Sequence, residues 1–176
     1  ILFIQLLALA LLLFNTNISA QTLGRIETVV VHGQSLEGNL DGDTPDRNVI
    51  IYLPPGYDTN SAQRYPVVYL LHGYGLRAES WMRFARIEVG ANTAMTGNGG
   101  GVGTGERARE MIIVSPDAYT IYDGSMYGSS VATGDWETFI AHDLVSYMDE
   151  NYRTLATREN RGLAGHSMGG YGTMRI

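Results

Sequence analysis

The chain has 176 residues, 12 Lys and Arg against 18 Asp and Glu, a formal net charge of −6 and no cysteine. The 44% hydrophobic content excludes a wholly disordered chain, and the negative charge argues against nucleic-acid binding, which requires a basic face. Without cysteine there is no disulfide framework, Cys-ligated zinc site or cysteine nucleophile. The length is that of one domain with one sizeable core.

Residues 1–14 form an apolar run with a single polar residue, Gln5. The run is shorter than the roughly 20 residues of a membrane span and is typical of the core of a secretory signal peptide. We predict that residues 1–20 are a signal peptide that lacks its basic start, cleaved after Ala20. Residues 21–176 would then be secreted or periplasmic, without a stable membrane span. A membrane anchor and a buried helix are the alternatives.

Four segments have the composition of β-strands, at residues 25–35, 48–53, 67–71 and 111–114. The first two lie too close in sequence for a helical crossover, so we predict that they pair in antiparallel fashion. The last two are continuous apolar runs, which are typical of strands with both faces covered.

The segment from Trp136 to Tyr152 is the clearest predicted helix, because its apolar residues recur on one face at helical spacing. Asp135 is its predicted N-cap, and the apolar face is predicted to be core. The opposite face is predicted to be solvated and carries Glu137, Asp143, Ser146, Asp149 and Glu150.

Residues 96–105 are glycine-rich but follow no apolar strand, so a surface loop is favoured over a phosphate site. Strands alternating with helices predict an α/β fold with a largely parallel sheet.

The strongest chemical signal is the stretch from Gly165 to Gly169, which matches G-x-S-x-G between a short apolar strand and a helix start. Side chains two residues before and after Ser167 would collide at so sharp a turn, so both positions need glycine. The turn exposes the Ser167 hydroxyl and leaves the Met168 N–H free to stabilise the oxyanion of an acyl transfer. The alternative is a glycine-rich turn with an incidental serine.

A second motif, LLHGYG at residues 70–75, leaves an apolar strand and enters a glycine-containing loop. A second oxyanion donor is expected from such a loop, and the Tyr74 N–H is the candidate. His72 is predicted to order the loop by hydrogen bonding, since the base in this architecture follows the serine in sequence. His166 directly precedes the serine on a sharply turning chain, so its side chain should point elsewhere.

With these motifs in place, the chain resembles the esterase D-like family of α/β-hydrolases, which includes feruloyl and acetyl-xylan esterases, S-formylglutathione hydrolases and secreted mycolyltransferases. The resemblance rests on DRNVIIYLPPGY, RYPVVYLLHGYG, WETFIAHDLVSYMDENYRT and RGLAGHSMGGYGTM, which together cover most of residues 25–176. It implies an α/β-hydrolase fold, a mostly parallel sheet with helices on both faces. It also implies Ser167 as nucleophile, the Tyr74 and Met168 amides as oxyanion hole, and no metal or organic cofactor.

In this fold the catalytic residues follow the order Ser, Asp or Glu, His, and only nine residues follow Ser167. We therefore expect that residues 21–176 are the N-terminal part of the esterase domain. The acid, the base and the C-terminal strands would lie on a further part of the protein. Expressed alone, this polypeptide is expected to be poorly folded and inactive.

The predicted function is that of a secreted serine carboxylic-ester hydrolase acting on a small-molecule or carbohydrate ester, including acylated carbohydrate and phenolic esters. An acyltransferase of the mycolyltransferase type, a non-catalytic glycan-binding domain and a cytosolic formylglutathione hydrolase remain alternatives. Four aromatic residues could stack on a sugar or phenolic acid but are left unassigned, because core or loop packing is the more common role of such residues: Tyr119, Tyr122, Tyr127 and Trp136.

Overall fold

A computed structural model describes residues 23–97 and 107–176. The predicted signal peptide and most of the glycine-rich segment lie outside the described residues. The strands are β1 (Arg25–His32), β2 (Asp46–Leu53), β3 (Val67–Leu71), β4 (Ile112–Pro116), β5 (Ser129–Ser130), β6 (Gly134–Asp135) and β7 (Arg161–Gly165). The helices are α1 (Ser80–Arg83), α2 (Ile87–Thr96), α3 (Trp136–Thr138), α4 (Leu144–Asn151) and α5 (Met168–Arg175). A π-helical segment (Phe139–Asp143) joins α3 to α4, and 3₁₀ turns lie at Gln34–Leu36 and Arg158–Asn160.

The main sheet has the strand order β1-β2-β4-β3-β7. Strands β1 and β2 pair in antiparallel fashion, as predicted, with Arg25 opposite Leu53. Strand β2 is also antiparallel to β4, whereas β3 is parallel to both β4 and β7. The parallel half of the sheet therefore places the carboxyl ends of β3 and β7 at one edge, where the loop after β3 meets the helix after β7.

Three strand boundaries differ from the predicted ones. The first strand ends at His32, because the Gly33 N–H turns to donate to the Pro45 carbonyl at 2.9 Å and a 3₁₀ turn follows. The second begins at Asp46, which lies opposite His32 in the ladder. The fourth runs on to Pro116, because its last residues pair with β2.

Both faces of the sheet are covered, as an α/β fold requires. On one face, Tyr52 and Ile113 pack with Met95 of α2. The larger core contains the buried apolar side chains of the predicted helix, and these are Trp136, Phe139, Ile140, Leu144 and Met148. The predicted cap is confirmed, because Asp135 Oδ1 accepts a hydrogen bond from the Thr138 N–H at 3.1 Å.

The predicted solvated face of this helix needs correction. Asp143 Oδ2 accepts a hydrogen bond from the Ser35 N–H at 2.9 Å and so fixes the 3₁₀ turn after β1. Asp149 Oδ1 accepts from Thr154 Oγ1 at 2.6 Å, and its other oxygen pairs with Arg161 at the start of β7. Both carboxylates therefore hold neighbouring segments together, where simple solvation was expected.

Candidate active site

Ser167 stands between β7 and α5 in a backbone conformation that non-glycine residues rarely adopt, with φ 56° and ψ −117°. Such a conformation costs about 1–3 kcal/mol and persists only where the surrounding structure enforces it. The residue is exposed to solvent. The strand, the strained serine and the helix start have the arrangement of a nucleophile elbow.

The two glycines of the motif are sterically required. A β-carbon on Gly165 would lie 2.3 Å from the carbonyl carbon and oxygen of Gly169, and one on Gly169 would lie 2.2 Å from the Leu71 carbonyl oxygen. A β-carbon on Gly170 would meet only an ordinary contact, 3.5 Å from the Gly165 oxygen. The collision argued from sequence therefore holds at the two motif glycines and does not extend to Gly170.

The loop after β3 lies directly against the elbow. A β-carbon on Gly73 would be 3.4 Å from the Ser167 β-carbon. A β-carbon on Gly124 would lie 2.5 Å from Met168 Sδ and 3.2 Å from Tyr74 Cδ2, so those two side chains meet at Gly124. The structure thus brings together all three residues singled out from sequence.

The main-chain N–H groups of Tyr74 and Met168 have no acceptor among residues 23–97 and 107–176. Met168 is the first residue of α5, where an N–H has no partner within the helix. The Tyr74 side chain is 57% exposed, whereas Met168 is buried. The two amides can therefore serve as donors beside the serine.

His72 is fully buried, and both ring nitrogens are occupied. Its Nε2 accepts from the Ala118 N–H at 2.8 Å, so the proton resides on Nδ1, which donates to the Gly73 carbonyl at 2.9 Å. The ring ties the loop after β3 to the loop after β4. This is the loop-ordering role argued from sequence, and a ring bonded in this way is not available as a base.

Asp117 is a buried carboxylate beside this ring that sequence reasoning missed. Its Oδ1 lies 3.6 Å from His72 Nε2. Because the His72 proton is on Nδ1, Nε2 cannot donate a hydrogen bond to this carboxylate. Burial by itself raises the pKa of Asp117. The Tyr119 N–H at 3.0 Å and the charge of Arg47 oppose this effect and lower the pKa. Arg77 approaches Asp117 Oδ2 at 3.3 Å.

Arg47 is a second buried charge without a sequence signal. It is 5% exposed and donates to the carbonyl oxygens of Thr44, Asp117 and Tyr119. Its guanidinium carbon lies 4.9 Å from the Trp136 ring centroid, a cation–π contact. An arginine at the start of a strand would be expected at the surface, but the alternation of β2 places Arg47 on the buried side with Val49, where it holds the loop after β4.

The loop that follows β4 carries further strain. Asp123, Met126 and Tyr127 all have positive φ, at 64°, 56° and 48°. The Asp123–Gly124 pair is a turn signal in the sequence, but nothing local predicts that this turn packs on the elbow. Of the unassigned aromatics, Tyr127 and Trp136 are fully buried and Tyr122 is 56% exposed.

No base is bonded to the serine within the described ranges. Ser167 Oγ has no hydrogen-bond partner there, and none of the four histidines pairs with it. The exposed His166 ring lies near Gly73, where a β-carbon would be 3.3 Å from its Nδ1. His32 and His142 pair instead with carboxylates of their own surroundings, Asp46 and Asp143.

A family match decides the classification. The family described as "Putative esterase" matches residues 44–176. The chain belongs to this esterase family. All three candidate site residues fall inside the part of the chain that matches the esterase family, and the observed fold is the α/β-hydrolase fold of solved esterases.

Among curated relatives of this esterase-family chain, Esterase Rv1288 of Mycobacterium tuberculosis is 33% identical over 135 residues, 76% of this chain and 26% of that protein. An endo-1,4-beta-xylanase/feruloyl esterase of Xylanibacter ruminicola is 31% identical over 131 residues, 72% of this chain and 17% of that protein. A solved ferulic acid esterase matches with a TM-score of 0.68 and 25% identity, covering 86% of this chain and 54% of its own. The chain thus spans about a quarter or less of these curated relatives.

Proposed function

We propose that this chain carries the nucleophile and oxyanion hole of a serine carboxylic-ester hydrolase. The observation that carries the proposal is the strained, exposed Ser167 at the start of α5, with the loop after β3 directly beside it. The esterase family and the feruloyl esterase among its relatives support the class of reaction.

In the proposed reaction, Ser167 Oγ attacks the ester carbonyl carbon while a base takes its proton. The carbonyl oxygen becomes an oxyanion, which the Tyr74 and Met168 N–H groups stabilise. The intermediate collapses, the alcohol leaves with the proton, and the acyl group stays on the serine. A water molecule activated by the same base then releases the acid and restores Ser167.

We place the base and its orienting carboxylate C-terminal to Ile176, in the order that this architecture uses. Supporting this placement, no histidine pairs with Ser167 in the described part of the chain, and His72 is committed to the loops. Residues 21–176 expressed alone should accordingly be inactive, whereas the full-length protein should hydrolyse esters.

For the substrate, we propose esters of phenolic acids or acylated carbohydrates. The names of two similar proteins support this substrate class: one is a feruloyl esterase and the other a ferulic acid esterase.

Export is part of the proposal because of the apolar run at residues 1–14 and the small residue at Ala20. N-terminal sequencing of protein from the culture medium should begin at Gln21, and an intact N-terminus there would refute cleavage. Among the described residues, no helix has the length and apolar character to cross a membrane.

The test of the activity uses the full-length protein and p-nitrophenyl acetate or methyl ferulate. Ser167→Ala should lower turnover by at least about 10⁴-fold, because the acyl-enzyme no longer forms. Ser146→Ala, on α4 and away from the elbow, is the matched control and should keep wild-type turnover. Unchanged turnover in Ser167→Ala would disprove the assignment.

A further inference from the structure

We propose that Tyr127 is a positioning residue that holds the two proposed oxyanion donors at a fixed separation. The inference rests on the proposed function, since it concerns the amides of Tyr74 and Met168. Those amides belong to different segments, the loop after β3 and helix α5. Their separation must be set by something that contacts both segments, and the Tyr127 side chain does so.

The first contact is with the loop after β3. The Tyr127 hydroxyl donates to the His72 carbonyl oxygen at 3.1 Å. The rings of the two residues also meet edge to face, with centroids 6.1 Å apart and planes at 62°. His72 immediately precedes Gly73, the residue that lies against Ser167, so this hydrogen bond fixes the loop just before the Tyr74 amide.

The second contact is with helix α5. A β-carbon on Gly172 would lie 2.7 Å from Cδ2 and Cγ of the Tyr127 ring, so the helix backbone rests directly on the ring. Gly172 is four residues after Met168 and therefore lies on the same face of the helix, one turn further on. The ring thus sets how closely the N-terminus of α5 approaches the loop.

The backbone conformation of Tyr127 is energetically unfavourable, and the contacts of its side chain offset that strain. The residue is fully buried and has φ 48°, which is unusual for a bulky side chain. Its N–H donates to Ser125 Oγ at 3.1 Å, which stabilises the turn that presents the ring. Burial raises the pKa of the phenol, so the hydroxyl stays a neutral donor at ordinary pH. A strained, buried residue that touches both halves of a site is suited to positioning.

The test compares two variants of the full-length protein, with p-nitrophenyl acetate as substrate. Tyr127→Phe removes only the hydrogen bond to His72, and kcat should fall about tenfold to a hundredfold while KM changes less than about threefold. A trifluoromethyl ketone, which forms an oxyanion on the serine, should lose affinity by a factor similar to the loss in kcat/KM. The matched control is Tyr57→Phe, a buried tyrosine whose hydroxyl accepts from the Arg153 N–H, and it should keep wild-type kcat.

A second pair of variants decides the matter if Tyr127→Phe does not fold. Gly172→Ala pushes a methyl group against the Tyr127 ring and should lower kcat in the same way, whereas Gly170→Ala on the same helix should not. Wild-type kcat and ketone affinity in folded Tyr127→Phe would overturn the positioning role. If Tyr127→Phe does not fold, the same result in Gly172→Ala would overturn it. If Ser167→Ala also retained turnover, the proposed function itself would fail. Loss of turnover in Ser167→Ala alone would leave that function standing and reject only the role of Tyr127.

Discussion

Gly169 of helix α5 rests on the carbonyl oxygen of Leu71 at the end of β3, so closely that a β-carbon would lie 2.2 Å from that oxygen. The nucleophile helix is therefore seated on the backbone of the strand that leads to the second donor loop. This backbone contact seats the elbow on the sheet, between the same two segments that the Tyr127 side chain contacts.

We expect Gly169→Ala to destabilise the protein by about 3 kcal/mol or more, because the rigid β3 backbone cannot move away from the methyl group. Gly170→Ala is the matched control. Its β-carbon has room, and alanine favours a helix over glycine by about 1 kcal/mol, so this variant should be as stable as the wild type or more so. Urea unfolding of both variants measures the difference, and equal free energies of unfolding would contradict the steric argument.

Replacing the nucleophile by glycine should separate stability from activity. Ser167 has φ 56°, a region that glycine adopts without strain, so Ser167→Gly should be inactive and about 1 kcal/mol more stable than Ser167→Ala. The alanine variant is the reference, because it lacks the hydroxyl but keeps the β-carbon. The free energies of unfolding of the two inactive proteins test this, and a glycine variant less stable than the alanine variant would show that the conformation is unstrained.

His32 provides a pH-dependent contribution to stability outside the site. Its hydrogen bond to Asp46 at 2.6 Å, and then that to Glu37 at 2.9 Å, raise the pKa of His32 above 6.5. A raised folded-state pKa means that the stabilisation is fully present below the unfolded pKa and is lost as pH rises through the folded one.

An NMR titration of the His32 ring should give a pKa above 6.5, and Asp46→Asn should lower it. The difference in stability between wild type and Asp46→Asn should shrink as pH rises above neutrality. A His32 pKa that does not change in Asp46→Asn would contradict the structure.

The elbow could be predicted because its requirements are local. A β-carbon on Gly165 would collide with Gly169, four residues further on, and the flanking strand and helix leave short-range patterns. The collision that requires glycine at position 169 is instead with Leu71 of β3, so the local pattern does not contain that partner. The antiparallel pairing of β1 with β2 was predictable for the same reason, since the intervening loop is too short for another connection.

The groups that support the site could not be predicted, because their roles depend on distant partners. The hydrogen bond from Arg47 to the Asp117 carbonyl joins residues 70 apart in sequence, and that from Tyr127 to His72 joins residues 55 apart. The π-helical segment at Phe139–Asp143 is similarly hidden, since the spacing of its apolar residues also fits an ordinary α-helix. The sequence gives no sign that Tyr127 is more than a core residue. Its proposed positioning role is suggested only by its place between β3 and α5.

The sequence separation of these contacts has a consequence for biosynthesis. A ribosome releases Arg47, His72, the strained turn and Tyr127 before it releases Ser167. The surroundings of the nucleophile are thus available before the nucleophile itself. Because parallel, long-range pairings such as β3 with β7 form slowly, the elbow is expected to dock later than the locally connected pair of β1 and β2. Its unfavourable backbone geometry would then be adopted only once neighbouring strands can compensate for it.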